Sequence, residues 1–298
     1  MMINYSCINR LRTLRDIIRY TTTIFNKSGI FFGHGSDNAY DEAVYLILHS
    51  LNLTADNLDI FLDSNITENE IRKILHLISK RVDLRIPVSY LTEESLLQGY
   101  KFYINKNAII PRSPISEIIQ NCIYPWVKDP ESITSILDLC TGSGCLAILS
   151  ALSFQRSIVT ATDISEKALK IAEKNINYYN LQDRIKIINS NLFDDIPISQ
   201  YDIIICNPPY VNTQSLNNLP EEYLHEPIIA LDGGEDGMSI IKNIKKVKIF
   251  LKREGILVLE IGNEYNNFIK HFQNINPTWI TTANTENSIM LLHKEQIP

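Results

Sequence analysis

The sequence predicts an α/β fold, a seven-stranded and mostly parallel sheet preceded by a small helical bundle and a β-hairpin linker. Three observations carry that reading. From residue 132 onward, short apolar runs alternate with helix-length segments, the pattern of βαβ units. The first hundred residues instead space their apolar side chains at helical intervals. Between the two, residues 97–111 change to a period of two. The expected boundaries are 1–96 for the helical domain, 97–114 for the linker and 115–298 for the α/β domain.

A chain of 298 residues is long enough for two such domains. Its apolar fraction of 45% and charged fraction of 21% are those of a soluble globular protein. A net charge of −6 argues against a broad duplex-DNA footprint, which needs a basic face. No run approaches the roughly 20 apolar residues of a membrane span, and residues 1–19 scatter arginines where a signal peptide has an apolar block. The cysteines Cys7, Cys122, Cys140, Cys145 and Cys206 show no CxxC spacing, and no histidines pair at ligand spacing. The expectation is a cytoplasmic protein with reduced core thiols and no metal site.

In the first domain, Leu11, Leu14, Ile17 and Ile18 mark one helix, and Tyr40, Val44, Ile47, Leu48 and Leu51 a second. Thr67-Glu68-Asn69-Glu70 is a capping box ahead of the stripe Ile71, Ile74, Leu75, Ile78 and Val82. The cations Arg72, Lys73, Lys80, Arg81 and Arg85 on that third helix read as a solvated face rather than an RNA contact. In the linker, Tyr100, Phe102 and Ile104 alternate, Asn105-Lys106-Asn107 turns the chain, and Ala108-Ile109-Ile110 returns. Residues 115–126 then read as a helix.

In the α/β domain, strands are expected at 136–139, 158–162, 185–188, 201–206 and 255–261, with an antiparallel pair at 279–282 and 288–292. The first runs through Asp138 into Cys140-Thr141-Gly142-Ser143-Gly144-Cys145, where two glycines and a following helix N-terminus suit close approach of a ligand. The second ends on Asp163, an acid placed to hold a ribose diol. Two cofactors compete for such a turn. Gly142-x-Gly144-x-x-Ala147 with Asp163 some twenty residues on fits a dinucleotide fingerprint. S-adenosylmethionine sites have an acid-x-Gly-x-Gly-x-Gly turn, with Cys140 here in the first glycine's place.

The fourth strand separates these readings, because it stops on Asn207-Pro208-Pro209-Tyr210. Two prolines end a ladder and leave an amide, rigid carbonyls and a ring at the ligand-binding edge of the sheet. Hydride transfer has no use for that set, whereas methyl transfer to a planar nitrogen does. The loop after it, residues 211–237, is too long for a passive connection.

These motifs resemble those of class I, Rossmann-like S-adenosylmethionine-dependent methyltransferases that act on amide or exocyclic nitrogen. The domain plan is similar to that of the protein-(glutamine-N5) methyltransferases over nearly the whole chain. The stretches 32–39, 110–117, 138–145 and 219–237 resemble the branch acting on ribosomal protein L3. Release-factor enzymes, by contrast, typically have glycine where Cys140 stands.

The resemblance implies S-adenosylmethionine bound by Asp138, Cys140, Thr141, Gly142, Ser143, Gly144, Asp163, Asn191 and Leu192. It implies an acceptor glutamine held by Asn207, Pro208, Pro209 and Tyr210, with Asn207, Pro208 and Tyr210 in the catalytic role. Asn191 departs from the pattern, since such enzymes commonly place an acid there. The helical domain is implied to recognise the substrate. The alternatives are release-factor glutamine methylation, adenine-N6 DNA methylation and a non-catalytic ribosome-assembly factor.

Overall fold

The computed structural model describes residues 11–283 and 285–298; Cys7 lies outside them. The chain forms two compact units, Met1–Ser95 with Pro220–His225, and Leu96–Leu219 with Glu226–Pro298.

The first unit is helical: α1 (Leu14–Ser28), α2 (Ala39–Leu51), α3 (Leu58–Phe61), α4 (Glu68–Asp83) and α5 (Val88–Thr92). The Thr67/Glu70 capping box forms as expected, and Thr13 with Asp16 makes a second one at α1. The predicted apolar stripes of α1, α2 and α4 meet in one core, except that Tyr40 at the start of α2 is exposed. The short helices α3 and α5 give too few turns for a periodic signal.

One expectation for this unit fails. Arg81 is not on a solvated face but 1% exposed. Its Nε donates to Glu42 at 2.6 Å, its Nη1 to Glu222 at 3.1 Å and its Nη2 to the Phe31 carbonyl at 2.7 Å. Helical spacing sets Arg81 three residues after Ile78 and seven after Ile74, at the rim of the apolar stripe, but no local pattern shows that two distant acids converge on it.

A hairpin follows in the chain, with strands β1 (Glu94–Leu97) and β2 (Tyr100–Tyr103). The expected turn at 105–107 is not the hairpin turn. Gln98 and Gly99 both take positive φ, the type I′ geometry that joins two strands directly. Residues 108–110 form no strand, and the Ile110 N–H donates instead to the Glu226 carboxylate at 2.9 Å. Helix α6 (Ile115–Gln120) is also shorter than expected, since Cys122 and Ile123 leave the right-handed region.

Strands β3 (Ser135–Leu139), β4 (Ile158–Asp163), β5 (Ile185–Asn189), β6 (Tyr201–Cys206), β7 (Leu251–Glu260), β8 (Thr278–Ile280) and β9 (Ile289–His293) build a seven-stranded sheet in the order β5-β4-β3-β6-β7-β9-β8. The first five strands are parallel, and β9 runs antiparallel to both β7 and β8. Helices α7 (Cys145–Ser153), α8 (Glu166–Tyr178), α9 (Thr213–Leu216), α10 (Ile244–Phe250) and α11 (Tyr265–His271) complete the second unit. Apolar cores cover both faces of the sheet, which is why the parallel strands read as continuous hydrophobic runs.

Candidate active site

Parallel strands β5, β4, β3 and β6 lie side by side and end at the same edge. Leu139 is in register with Cys206, so Cys140 and Asn207 leave the sheet next to each other. Asp163 is in register with Asn189 at the ends of β4 and β5. All the predicted cofactor and acceptor residues therefore emerge from one edge, the ligand-binding edge of an open α/β sheet.

The turn after β3 is built from left-handed residues: Cys140 at φ 58°, Gly142 at φ 56° and Gly144 at φ 79°. A Cβ on Gly144 would lie 3.0 Å from the Ala172 Cβ, so glycine lets the turn pack on α8. Cys140 adopts the left-handed conformation with a side chain, at a cost of about 1–2 kcal/mol. The Thr141 N–H donates to the Thr162 carbonyl at 2.8 Å, and the Ser143 carbonyl accepts from Asn175 Nδ2 at 2.9 Å.

Two acids frame this turn. Asp138 is completely buried; its Oδ2 accepts from the Thr141 hydroxyl, while Oδ1 has no hydrogen-bond partner among the described residues. Burial pushes its carboxyl up to about 7, against the pull of the Thr141 hydroxyl. Asp163 accepts the Gly142 N–H on Oδ2 and the Ser165 N–H on Oδ1, both at 2.9 Å. Burial raises it too, opposed by those amides. Each carboxylate oxygen accepts at two lone-pair sites, so each oxygen of Asp163 keeps one for a ribose hydroxyl.

Asn191 donates its amide to Asp194 at 3.1 Å, which fixes the side chain and leaves its oxygen as the acceptor. Leu192, at φ 52°, packs against the apolar core and lines a small cavity with Leu139, Cys206 and Pro208. The buried acid with an uncommitted oxygen, the left-handed turn and the amide-held carboxylate of Asp163 suit S-adenosylmethionine. An acid near a sulfonium or ammonium cation is favourable, and glycine at 142 and 144 lets a ligand approach the backbone closely.

At the end of β6, Pro208 is buried, and Asn207, Pro209 and Tyr210 are half-buried. Neither the Asn207 side chain nor the Pro208 carbonyl has a hydrogen-bond partner among the described residues. Tyr210 is tied down instead. Its hydroxyl donates to Glu260 Oε1 at 2.7 Å, and a Cβ on Gly262 would lie 2.3 Å from its ring carbon Cε2. Two residues on, Asn212 donates to Glu264 at 2.6 Å.

Sequence reasoning missed Glu260, although it is the one charge in the apolar run 255–261. It also missed that Arg112 Nη2 donates to Glu226 Oε2 at 2.8 Å, which ties the linker to the loop after β6. His225 bonds the Leu84 carbonyl at 2.8 Å through Nε2.

Fold and site together define a class I methyltransferase with S-adenosylmethionine as methyl donor. A methyltransferase small domain model matches residues 127–254. The catalytic domain of hMettl16, solved with the MAT2A 3′UTR hairpin 6, shares this fold with a TM-score of 0.50 and 17% identity, over 75% of this chain and 80% of that one.

Sequence relatives are closer. The ribosomal protein uL3 glutamine methyltransferase of Bordetella pertussis is 48% identical over 288 residues, 96% of this chain and 97% of that protein. The protein of the same name from Francisella tularensis is 37% identical over 97% of this chain and 93% of its own length. The chain belongs to the ribosomal protein uL3 glutamine methyltransferase family.

Proposed function

We propose that this chain transfers the methyl group of S-adenosylmethionine to the side-chain amide nitrogen (N5) of a glutamine in ribosomal protein uL3, the L3 of the large subunit. The observation that carries the proposal is the end of β6. Asn207 and Pro208 offer two uncommitted acceptors beside the glycine turn, and Tyr210 follows Pro208 by two residues. The acceptor's identity rests on the relatives, whose names specify uL3.

The bound cofactor supplies an electrophilic methyl group on sulfonium. The protein's task is the poor nucleophile, an amide nitrogen whose lone pair is delocalised into its carbonyl. The Asn207 side-chain oxygen and the Pro208 carbonyl accept its two N–H groups. Pro208 has a fixed φ, so its carbonyl is rigidly aimed. As positive charge grows on those hydrogens in the transition state, the two acceptors strengthen and favour pyramidalisation. Tyr210 stacks on the amide plane, and the loop 211–237 shapes the entrance.

In-line positioning of this kind is worth up to roughly 7–11 kcal/mol. No dedicated base is required, because the product proton is acidic and leaves to water. Asp138, the turn 140–144, Asp163, Asn191 and Leu192 hold the cofactor. The helical unit reads the acceptor protein, free or in an assembling large subunit, in the cytoplasm and without direct contact to DNA.

The test is incubation with labelled S-adenosylmethionine and, separately, uL3, a peptide-chain release factor and DNA. Label on a uL3 glutamine is expected. Label on release factor alone would overturn the acceptor and keep the chemistry, and label on DNA would overturn both. Asn207→Ala should abolish transfer while cofactor affinity by calorimetry stays within a few-fold. Near-normal turnover in that variant would sink the catalytic assignment.

A further inference from the structure

The carboxylate of Glu260 is the last side chain of β7, 3% exposed, at the end of an otherwise apolar run. It holds two hydroxyl donors from distant parts of the chain. Tyr210 donates to Oε1 at 2.7 Å, and Ser113 donates to Oε2. Burial raises its proton affinity, opposed by those two hydroxyls and by the charge of Arg112. An acid is an expensive choice in such a strand, because removing a carboxylate from water costs several kcal/mol unless hydrogen bonds repay it. If packing alone mattered, an apolar side chain of similar volume would serve better.

The surroundings indicate what the acid achieves. Three glycines enclose Tyr210 from other directions. A Cβ on Gly233 would lie 2.7 Å from the Tyr210 backbone, one on Gly237 2.4 Å from its carbonyl oxygen, and one on Gly262 2.3 Å from its ring. Two of the glycines make room for the Tyr210 backbone and Gly262 for its ring, but none of them can orient the ring. The hydrogen bond from its hydroxyl to Glu260 can.

We propose that Glu260 is a positioning residue of the methyl-transfer site. By accepting from the Tyr210 hydroxyl, it sets the plane of the ring that meets the acceptor amide. The Ser113 bond orients the second carboxylate oxygen and keeps the side chain from turning away. This inference rests on reading 207–210 as the acceptor site, and it adds a residue that does not itself touch the acceptor.

The experiment compares Glu260→Gln, Tyr210→Phe and the double variant with the wild-type protein. It reads kcat and KM for glutamine methylation, cofactor affinity by calorimetry, and the 19F line of 3-fluorotyrosine placed at position 210 in the wild-type and Glu260→Gln backgrounds. Glu260→Gln keeps the side chain's volume but leaves one acceptor oxygen for the two hydroxyls of Tyr210 and Ser113, so the carboxylate's hold on the ring is lost or shared. The substitution should lower kcat at least tenfold, with cofactor affinity within threefold and KM changed far less than kcat. The double variant should be no worse than the poorer single variant, because both remove one interaction. The 19F line should be single and narrow in the wild-type background and broadened or split in the Glu260→Gln background.

Multiplying losses in the double variant, or unchanged kcat and an unchanged 19F line in Glu260→Gln, would overturn the proposal. If Glu260→Gln no longer binds cofactor, Tyr210→Phe and Ser113→Ala decide, since each deletes one hydroxyl and leaves the acid. Both should then lower kcat with cofactor affinity retained, and wild-type kcat in both would overturn it. If no glutamine is methylated by the wild-type protein, the acceptor reading fails, while the 19F comparison still reports whether Glu260 orients Tyr210.

Discussion

Single residues around Tyr210 are where the site is most exacting. Gly262 sits at φ 54°, and an added Cβ would fall 2.3 Å from the Tyr210 ring. Gly262→Ala therefore adds backbone strain and pushes the ring aside. Displacing a reacting group's contact by about 1 Å can cost roughly 10²-fold in rate. A loss of about that size in kcat is expected, with cofactor affinity held within a few-fold by calorimetry. A rate within threefold of wild type would show that the ring takes no part in positioning the acceptor. The motif Asn207-Pro208-Pro209-Tyr210 was legible in the sequence because two prolines after an apolar strand have few structural explanations. Gly262 and Glu260 were not, although Glu260 is the lone acid of its apolar run. Their importance depends on a ring brought over from β6, and such a contact leaves no local pattern.

At the scale of elements, what the sequence revealed follows from how local each signal is. Helices α1, α2 and α4 were visible because a 3.6-residue stripe and a capping box are written within one segment. The hairpin was only half legible. Its alternation is plain, but Gln98-Gly99 is a weaker type I′ signal than Asn-Gly, so the polar run 105–107 looks the better turn. Arg81 on α4 looks solvated because its partners Glu42 and Glu222 come from far along the chain.

Removing that guanidinium strands two buried acids and the Phe31 carbonyl, and breaking a buried pair costs about 3–5 kcal/mol. Arg81→Met is expected to destabilise the helical unit by about that much. Far-UV circular dichroism during urea denaturation measures it. Tryptophan fluorescence would not, since the two tryptophans, Trp126 and Trp279, both lie in the other unit. A midpoint unchanged in Arg81→Met would mean that the cluster contributes nothing net.

For the whole molecule, the alternation of strands and helices announced the βαβ architecture, and right-handed crossovers leave few sheet orders compatible with it. What alternation cannot announce is the electrostatic cost of the site it builds. Placing Asp138 at the inner end of the central strand β3 buries it completely, and it titrates near 7 instead of the ordinary value of about 4. Between those values the native state keeps a proton that the unfolded chain has released. The unfolded state then binds fewer protons, so stability falls as pH rises through that window and levels off above 7. A displacement of about three pH units sets an upper bound of about 4 kcal/mol on the effect. Asp163, Glu42 and Glu260 are raised by burial and act in the same direction, whereas Asp236, held down at about 2, loses its contribution only as pH falls below the ordinary carboxylate range.

Asp138→Asn isolates the main term, because the amide oxygen still accepts from the Thr141 hydroxyl while the ionisation disappears. Without cofactor, the variant and the wild-type protein should have similar unfolding free energies near pH 4. The variant should become the more stable of the two by pH 8, and urea titrations across that range measure the divergence. Parallel curves from pH 4 to 8 would mean that Asp138 is ionised throughout, and that the fold sustains a buried carboxylate beneath its cofactor turn without penalty.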